Sequence, residues 1–251
     1  MADGYLLGID VGTTNTKSVL FDTEGHLAYS ASQEYPIKRE KPGWAEHDPA
    51  DWWRAVVTTV KAVLRDIDPK EVLGTGVTSL DDCFVPLDKG GNPLYNCISW
   101  QDTRSAPQGK WITAQVGADR LYEITGHRGG GSCAAQALWL KENLPRVYGK
   151  THMFLQPNGY ITYLLTGEFT TDWTIANHSQ LMDLRKRAWS TELMEMEGLS
   201  PSQWPEIYSP AEVIGEITEV AAKATGLAKG MPVIAGASDE EVAAVGTGVV
   251  K

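Results

Sequence analysis

The first 35 residues constrain this chain most. Three β-rich runs, residues 5–10, 15–22 and roughly 26–35, are joined by Asp10-Val11-Gly12-Thr13-Thr14 and by Asp22-Thr23-Glu24-Gly25. Short runs between such turn clusters predict an antiparallel meander. The first turn carries a carboxylate, a glycine and two hydroxyls where one strand gives way to the next.

The far end holds a matching junction. The apolar run 231–236 leads into Gly236-Ala237-Ser238-Asp239, and a helix is predicted from 239. A carboxylate between a strand and a helix projects into a cleft rather than a core. Between the two ends, Asp48 or Asp51 caps a helix over about 51–66, with Trp52, Val56, Val60 and Val63/Leu64 at helical spacing. Val72 to Thr78 and Phe84 to Leu87 read as strands. Helices are expected near 105–116, 134–143, 157–165, 188–197 and 218–225, the last ending at Gly226. The expected fold is α/β, a mixed sheet flanked by helices. Its core would be about 1–103 and 212–251, with a helical insertion about 104–211.

The 22 basic and 32 acidic residues give a formal charge of −10. That argues against nucleic acid, which needs a basic face. A nucleotide is different, since Mg²⁺ and backbone N–H groups can hold its few phosphates. Cys83, Cys97 and Cys133 form no Cys-x-x-Cys and have no His at ligand spacing. A reducing cytoplasm is therefore expected. The N-terminus lacks the basic-then-apolar pattern of a signal peptide, and no apolar run approaches the roughly 18 residues of a membrane span.

Four segments carry chemistry. In the first, Gly12, Thr13, Thr14 and Asn15 form a turn whose amides and hydroxyls can approach a phosphate, and Asp10 can hold Mg²⁺. The plainer alternative is an ordinary hairpin turn. It is neither a Walker A loop nor a dinucleotide fingerprint. In the second, Asp239 at a helix start would stay ionised, which suits a general base; the alternative is a simple N-cap. In the third, Trp100, Asp102 and Arg104 follow the strand-like run from Cys97. An aromatic face beside a carboxylate and a guanidinium suits a polyhydroxylated ligand, the alternative being a buried Trp with a surface ion pair. In the fourth, Asp81 and Asp82 are adjacent acids at the end of a buried strand, where they repel each other unless paired.

Taken together these segments resemble a known family. Leu6-Leu-Gly-Ile-Asp-Val-Gly-Thr-Thr-Asn-Thr-Lys17 is similar to the first phosphate motif of the actin, heat-shock chaperone and sugar-kinase superfamily. Pro42-Gly-Trp-Ala-Glu-His-Asp-Pro-Ala-Asp-Trp-Trp53 resembles a segment of glycerol and xylulose kinases. So do Trp100-Gln-Asp-Thr-Arg104, Leu164-Leu-Thr-Gly-Glu168 with Thr171-Asp172, Thr225-Gly-Leu-Ala-Lys-Gly-Met-Pro-Val233 and Gly236-Ala-Ser-Asp239. In that order, over nearly the whole chain, they identify it as resembling the FGGY carbohydrate kinases, in the style of xylulokinases.

The resemblance implies an RNase H-like, actin-like ATPase fold and ATP-dependent phosphorylation of a sugar, ketose or polyol. It gives Asp239 the role of catalytic base, Asp10 that of the Mg²⁺–phosphate aspartate, and Thr13 and Thr14 a place facing the transferred phosphate. Trp100, Asp102 and Arg104 would lie near the sugar cleft. Full members are about twice this length, so this chain is expected to be the N-terminal, sugar-binding half. ATP would be reached through a second, nucleotide-binding domain absent here, and the half alone would be inactive. A homodimer is left open. One segment departs from the pattern. Where xylulokinases show Gln-Met-His-Gly and glycerol kinases Gln-Arg-Glu-Thr, this chain has Leu80-Asp81-Asp82-Cys83. The expectation is that Asp82, matching the His or Glu, faces the cleft, because side chains alternate along a strand. The rival reading is a non-catalytic sugar-binding or regulatory module on the same scaffold.

Overall fold

A computed structural model describes residues 4–249. Residues 1–3 and 250–251, the outermost parts of the expected domain, lie outside it. In chain order the elements begin with β1 (Tyr5–Val11), β2 (Asn15–Asp22), β3 (Leu27–Glu34), β4 (Glu46–His47), α1 (Pro49–Val63), β5 (Val72–Ser79), β6 (Val85–Leu87) and β7 (Cys97–Ile98). A helical stretch follows: α2 (Ala106–Val116), α3 (Ala118–Thr125), α4 (Ser132–Asn143), α5 (Pro145–Lys150), β8 (Met153–Leu155), α6 (Pro157–Thr166), β9 (Thr170–Asp172) and α7 (Trp173–His178). The chain closes through β10 (Met182–Asp183), β11 (Ala188–Trp189), α8 (Thr191–Glu197), β12 (Glu206–Tyr208), β13 (Val213–Glu216), α9 (Glu219–Thr225), β14 (Pro232–Ile234), β15 (Ala237–Ser238) and α10 (Asp239–Gly246).

The main sheet runs β13-β14-β5-β1-β2-β3, with β15 also on β5. The three N-terminal strands form the expected antiparallel meander, and β5 adds parallel to β1. β14 and β15 are parallel to β5, while β13 is antiparallel to β14. The register decides where the chemistry lies. Val11 pairs with Ser79, and Ser79 with Ser238. Three strands therefore end side by side. The Gly12 turn, residues 80–82 and Asp239 emerge at one edge, where ligands bind in sheets of this kind.

Alternation along β1 sends Leu7, Ile9 and Val11 into the core and Leu6, Gly8 and Asp10 to the opposite face. The core side is covered by α1. Asp48 caps that helix by accepting from the Ala50 N–H, Pro49 starts it, and Lys61 sits in its last turn. Its inner face, Trp52, Val56, Val60 and Val63, is buried, each side chain worth about 1.5–3 kcal/mol. Ile161 and Leu165 of α6 join the same core, and the Asn158 N–H donates to Ser79 Oγ at 3.0 Å. So α6, expected within the insertion, packs on the sheet. A second core gathers Phe84, Ile112, Leu138, Phe154, Leu193 and Trp204 around α2, α4 and α8.

α3, α5 and α7, eight, six and six residues long, were not among the expected helices. The helix expected from 188 starts at Thr191. Ala188 and Trp189 instead pair with Asp183 and Met182, and Ser190 caps α8 by accepting from the Leu193 N–H. Among the described residues no helix is long and apolar enough to cross a membrane.

Candidate active site

Asp10 and Asp239 line one cleft of about 910 Å³ on the open face of the sheet, with Lys17, Thr78, Thr174 and Glu241. Lys17 lies opposite Asp10 in the β1–β2 register. Burial raises the Asp10 carboxyl above its ordinary range, the Asp239 charge raises it further, and Lys17 pulls it back. Asp239 is the first residue of α10. The cap position is Ser238, whose hydroxyl bonds to Glu241. Among the described residues Asp239 makes no side-chain hydrogen bond, so its carboxylate is free for other work.

The Gly12–Asn15 turn closes on a hydrogen bond from the Gly12 N–H to the Asn15 carbonyl, 2.9 Å. It leaves Thr14 exposed and Thr13 half-exposed. The indole N–H of Trp100, itself 54% exposed, donates to Thr13 Oγ1 at 3.1 Å.

Asp102 and Arg104 do not face this cleft. The Arg104 side chain is only 2% exposed, and it donates to Asp102 Oδ1 and Oδ2 and to Glu46 Oε1 at 2.7–2.9 Å. Asp102 Oδ2 also accepts from the Ala45 N–H. The guanidinium lies 3.5 Å from the Trp44 ring centre and 5.1 Å from that of Trp139. The pair is not a surface ion pair but a buried joint between the β4 region and the helical stretch. Trp100, two residues past the strand β7, is the member of this segment left open.

Asp81 and Asp82 separate. β5 ends at Ser79, so strand alternation does not extend to them. Asp82 takes φ +56°, its carboxylate accepts from Ser132 Oγ at 2.6 Å, and its carbonyl accepts from Gln136 Nε2. Asp81 lies on the side of Asp239 and α10. Burial raises its carboxyl to about 6; His178 opposes the rise, while Asp82, Asp239 and Glu240 add to it. His178 Nδ1 is 3.3 Å from Asp81 Oδ2. Thus the Asp239 charge reaches Asp81, while Asp82 is held by Ser132 and Gln136. His178 and Ser132 are residues the sequence did not single out. Thr174 was missed as well: its hydroxyl accepts from the Ser238 N–H and donates to Asp172, tying the start of α7 to β15.

Asp10 offers one hard carboxylate oxygen donor, suited to Mg²⁺. Its charge is opposed by burial and by Asp239, which a bound cation would relieve. Asp10 fits that ion, with water and phosphate oxygens left to complete the shell.

Residues 5–246 match the FGGY family of carbohydrate kinases, N-terminal domain. The chain belongs to that family. Among similar proteins, the xylulose kinase of Bacillus subtilis is 30% identical over 248 residues, covering 98% of this chain and 50% of the relative. The glycerol kinase of Thermococcus gammatolerans is 31% identical over 259 residues, covering 98% and 51%. The xylulose kinase structure from Rhodospirillum rubrum superimposes with a TM-score of 0.93 at 28% identity, over 98% of this chain and 52% of that one. The chain spans about half the length of the curated relatives it matches. Its α/β architecture, a mixed sheet with flanking helices, is that of the FGGY kinases and their actin-like ATPase fold.

Proposed function

We propose that this chain is the acceptor-binding half of an ATP-dependent kinase for a sugar, ketose or polyol, with Asp239 as its general base. The observation that carries the reading is the convergence of the Gly12 turn, Asp10 and Asp239 where β1, β5 and β15 end together. The family match supports it. The acceptor hydroxyl gives its proton to the Asp239 carboxylate, its oxygen bonds to the γ-phosphorus, and the bond from that phosphorus to the bridging oxygen breaks, releasing ADP. Mg²⁺ held at Asp10 would supply neutralisation of phosphate charge. Thr13 and Thr14 orient the transferred group, and Trp100 and Asp81 line the acceptor side. Most of the catalysis is positioning and electrostatics.

Binding of glycerol, D-xylulose and a panel of aldoses to this chain, by calorimetry, tests the acceptor role. ADP release in the presence of the best ligand tests chemistry. A polyol or ketose should bind, while this chain alone releases no ADP at a useful rate. Binding together with brisk ADP release would mean that the nucleotide needs no second half. Absence of binding across the panel would remove the acceptor role.

A further inference from the structure

The Gly12–Thr14 turn is gripped from two sides by aromatic residues far away in sequence. Behind it, the Tyr35 hydroxyl donates to the Gly12 carbonyl and the Tyr35 N–H donates to the Thr14 carbonyl at 3.1 Å. The ring is fixed in turn, edge-on to buried His47 with ring centres 6.4 Å apart. In front, Trp100 Nε1 donates to Thr13 Oγ1 at 3.1 Å. Each of the three turn residues therefore has one bond to an aromatic side chain or its backbone. The two grips differ in kind. Tyr35 is half-buried and braced. Trp100 is 54% exposed, and among the described residues its side chain's one hydrogen bond is the one to Thr13.

We propose that Trp100 and Tyr35 are positioning residues for the phosphate turn, and that the Trp100–Thr13 hydrogen bond couples acceptor binding to the placement of Thr13. The inference rests on the acceptor reading above and adds a link within it. An acceptor that lies against the indole face restricts the ring. The N–H on the ring's edge then holds the Thr13 hydroxyl in one orientation, and the turn is ordered before phosphate arrives. Tyr35 keeps the far side of the turn still, so movement of the indole is passed to Thr13 rather than lost in the turn as a whole. A ligand that binds one arrangement better shifts the population toward it, and the same coupling works in reverse.

The test uses this chain with glycerol and D-xylulose as probes, followed by backbone amide NMR. In the parent, saturation with the binding probe should shift the amides of Thr13 and Thr14. Trp100→Phe keeps an apolar ring but has no N–H. With the probe raised until the variant is saturated, the Thr13 and Thr14 shifts should collapse, because one neutral hydrogen bond is worth roughly 2- to 12-fold in an equilibrium. Tyr35→Phe should keep the shifts but broaden the Gly12 amide without probe, as the rear anchor loosens. If Trp100→Phe binds and shifts Thr13 and Thr14 as the parent does, the coupling is wrong although the acceptor reading stands. If neither probe binds the parent, the acceptor reading fails for these ligands and the coupling with it. An unchanged Gly12 amide in Tyr35→Phe would overturn the rear anchor.

Discussion

His178 Nδ1 lies 3.3 Å from Asp81 Oδ2. On the other side its Nε2 lies 3.8 Å from Glu241 and 3.9 Å from Glu240. One imidazole thus stands between the loop after β5 and the first turn of α10, with Asp239 beside both.

Burial gives Asp81 a pH signature that His178 opposes. Its folded value, about 6, is above the ordinary 3.8, chiefly through burial. Between those values the folded state holds a proton that the unfolded state has lost. Stability from this group is therefore greatest below the unfolded value, falls as pH rises, and is flat above the folded value. Asp81→Asn should be more stable than the parent by about 1 kcal/mol at neutral pH, a figure discounted for partial solvent screening, and no more stable near pH 4. Denaturant midpoints at the two pH values measure this. Equal stability at neutral pH would mean that His178 already offsets the cost of burying the charge.

Arg104 should prove structural. Its guanidinium is buried against Asp102, Glu46 and Trp44. Arg104→Ala leaves two carboxylates without their partner and should lower stability by about 3–5 kcal/mol. Arg104→Lys keeps the charge but loses the planar fork, and should fall between. Folded protein of either variant should bind the best acceptor as tightly as the parent. Selective loss of acceptor affinity in the Lys variant, without loss of stability, would return Arg104 to the sugar site.

The two carboxylates of the proposed chemistry could be found in the sequence because each stands at a junction that local rules describe. Asp10 precedes a Gly-Thr turn, and Asp239 follows a strand and starts a helix. The meander and α1 were legible for the same reason, since their periods are short and their caps are local. Other features depend on contacts between segments far apart. Arg104 is claimed by Glu46, 58 residues away, and no spacing rule reveals that. Asp82 turns toward Ser132, 50 residues away, because the chain leaves the strand at Ser79 and takes φ +56°. His178 carries no signal until α7 brings it to Asp81. α3 and α7 are too short for a helical period to stand out.

Asp239→Asn tests the proposed base. The amide preserves the shape and the place at the start of α10 but cannot accept the proton. In the kinase assembled with a nucleotide-binding half, turnover should fall by about 10²-fold or more, with acceptor affinity changed only a few-fold. A fall in kcat with KM unchanged is the expected pattern. Near-normal turnover would leave Asp239 as a helix-start residue alone.

Gly236 sets the approach to that base. Its φ is +81°, and a Cβ there would lie 2.0 Å from the carbonyl oxygen of Val77 and 3.0 Å from its carbon. Backbone occupies that space, so no side-chain rotation relieves the clash; β15 must move away from β5. Gly25 separates the two costs. Its φ is +87°, yet a Cβ there meets nothing within 4 Å. Gly25→Ala should therefore cost only the left-handed conformation, about 1–2 kcal/mol. Gly236→Ala should cost about 3 kcal/mol or more, the same strain plus displacement of the strand. Because Ser238 pairs with Ser79 just before Asp239, that displacement also moves the base away from Asp10. Gly236→Ala should thus lose phosphoryl transfer in the assembled kinase even at temperatures where it stays folded, and Gly25→Ala should not. Thermal unfolding of both variants, with turnover measured well below the lower midpoint, distinguishes the outcomes. Equal stability of the two would mean that β15 yields without strain and that Gly236 does not place Asp239.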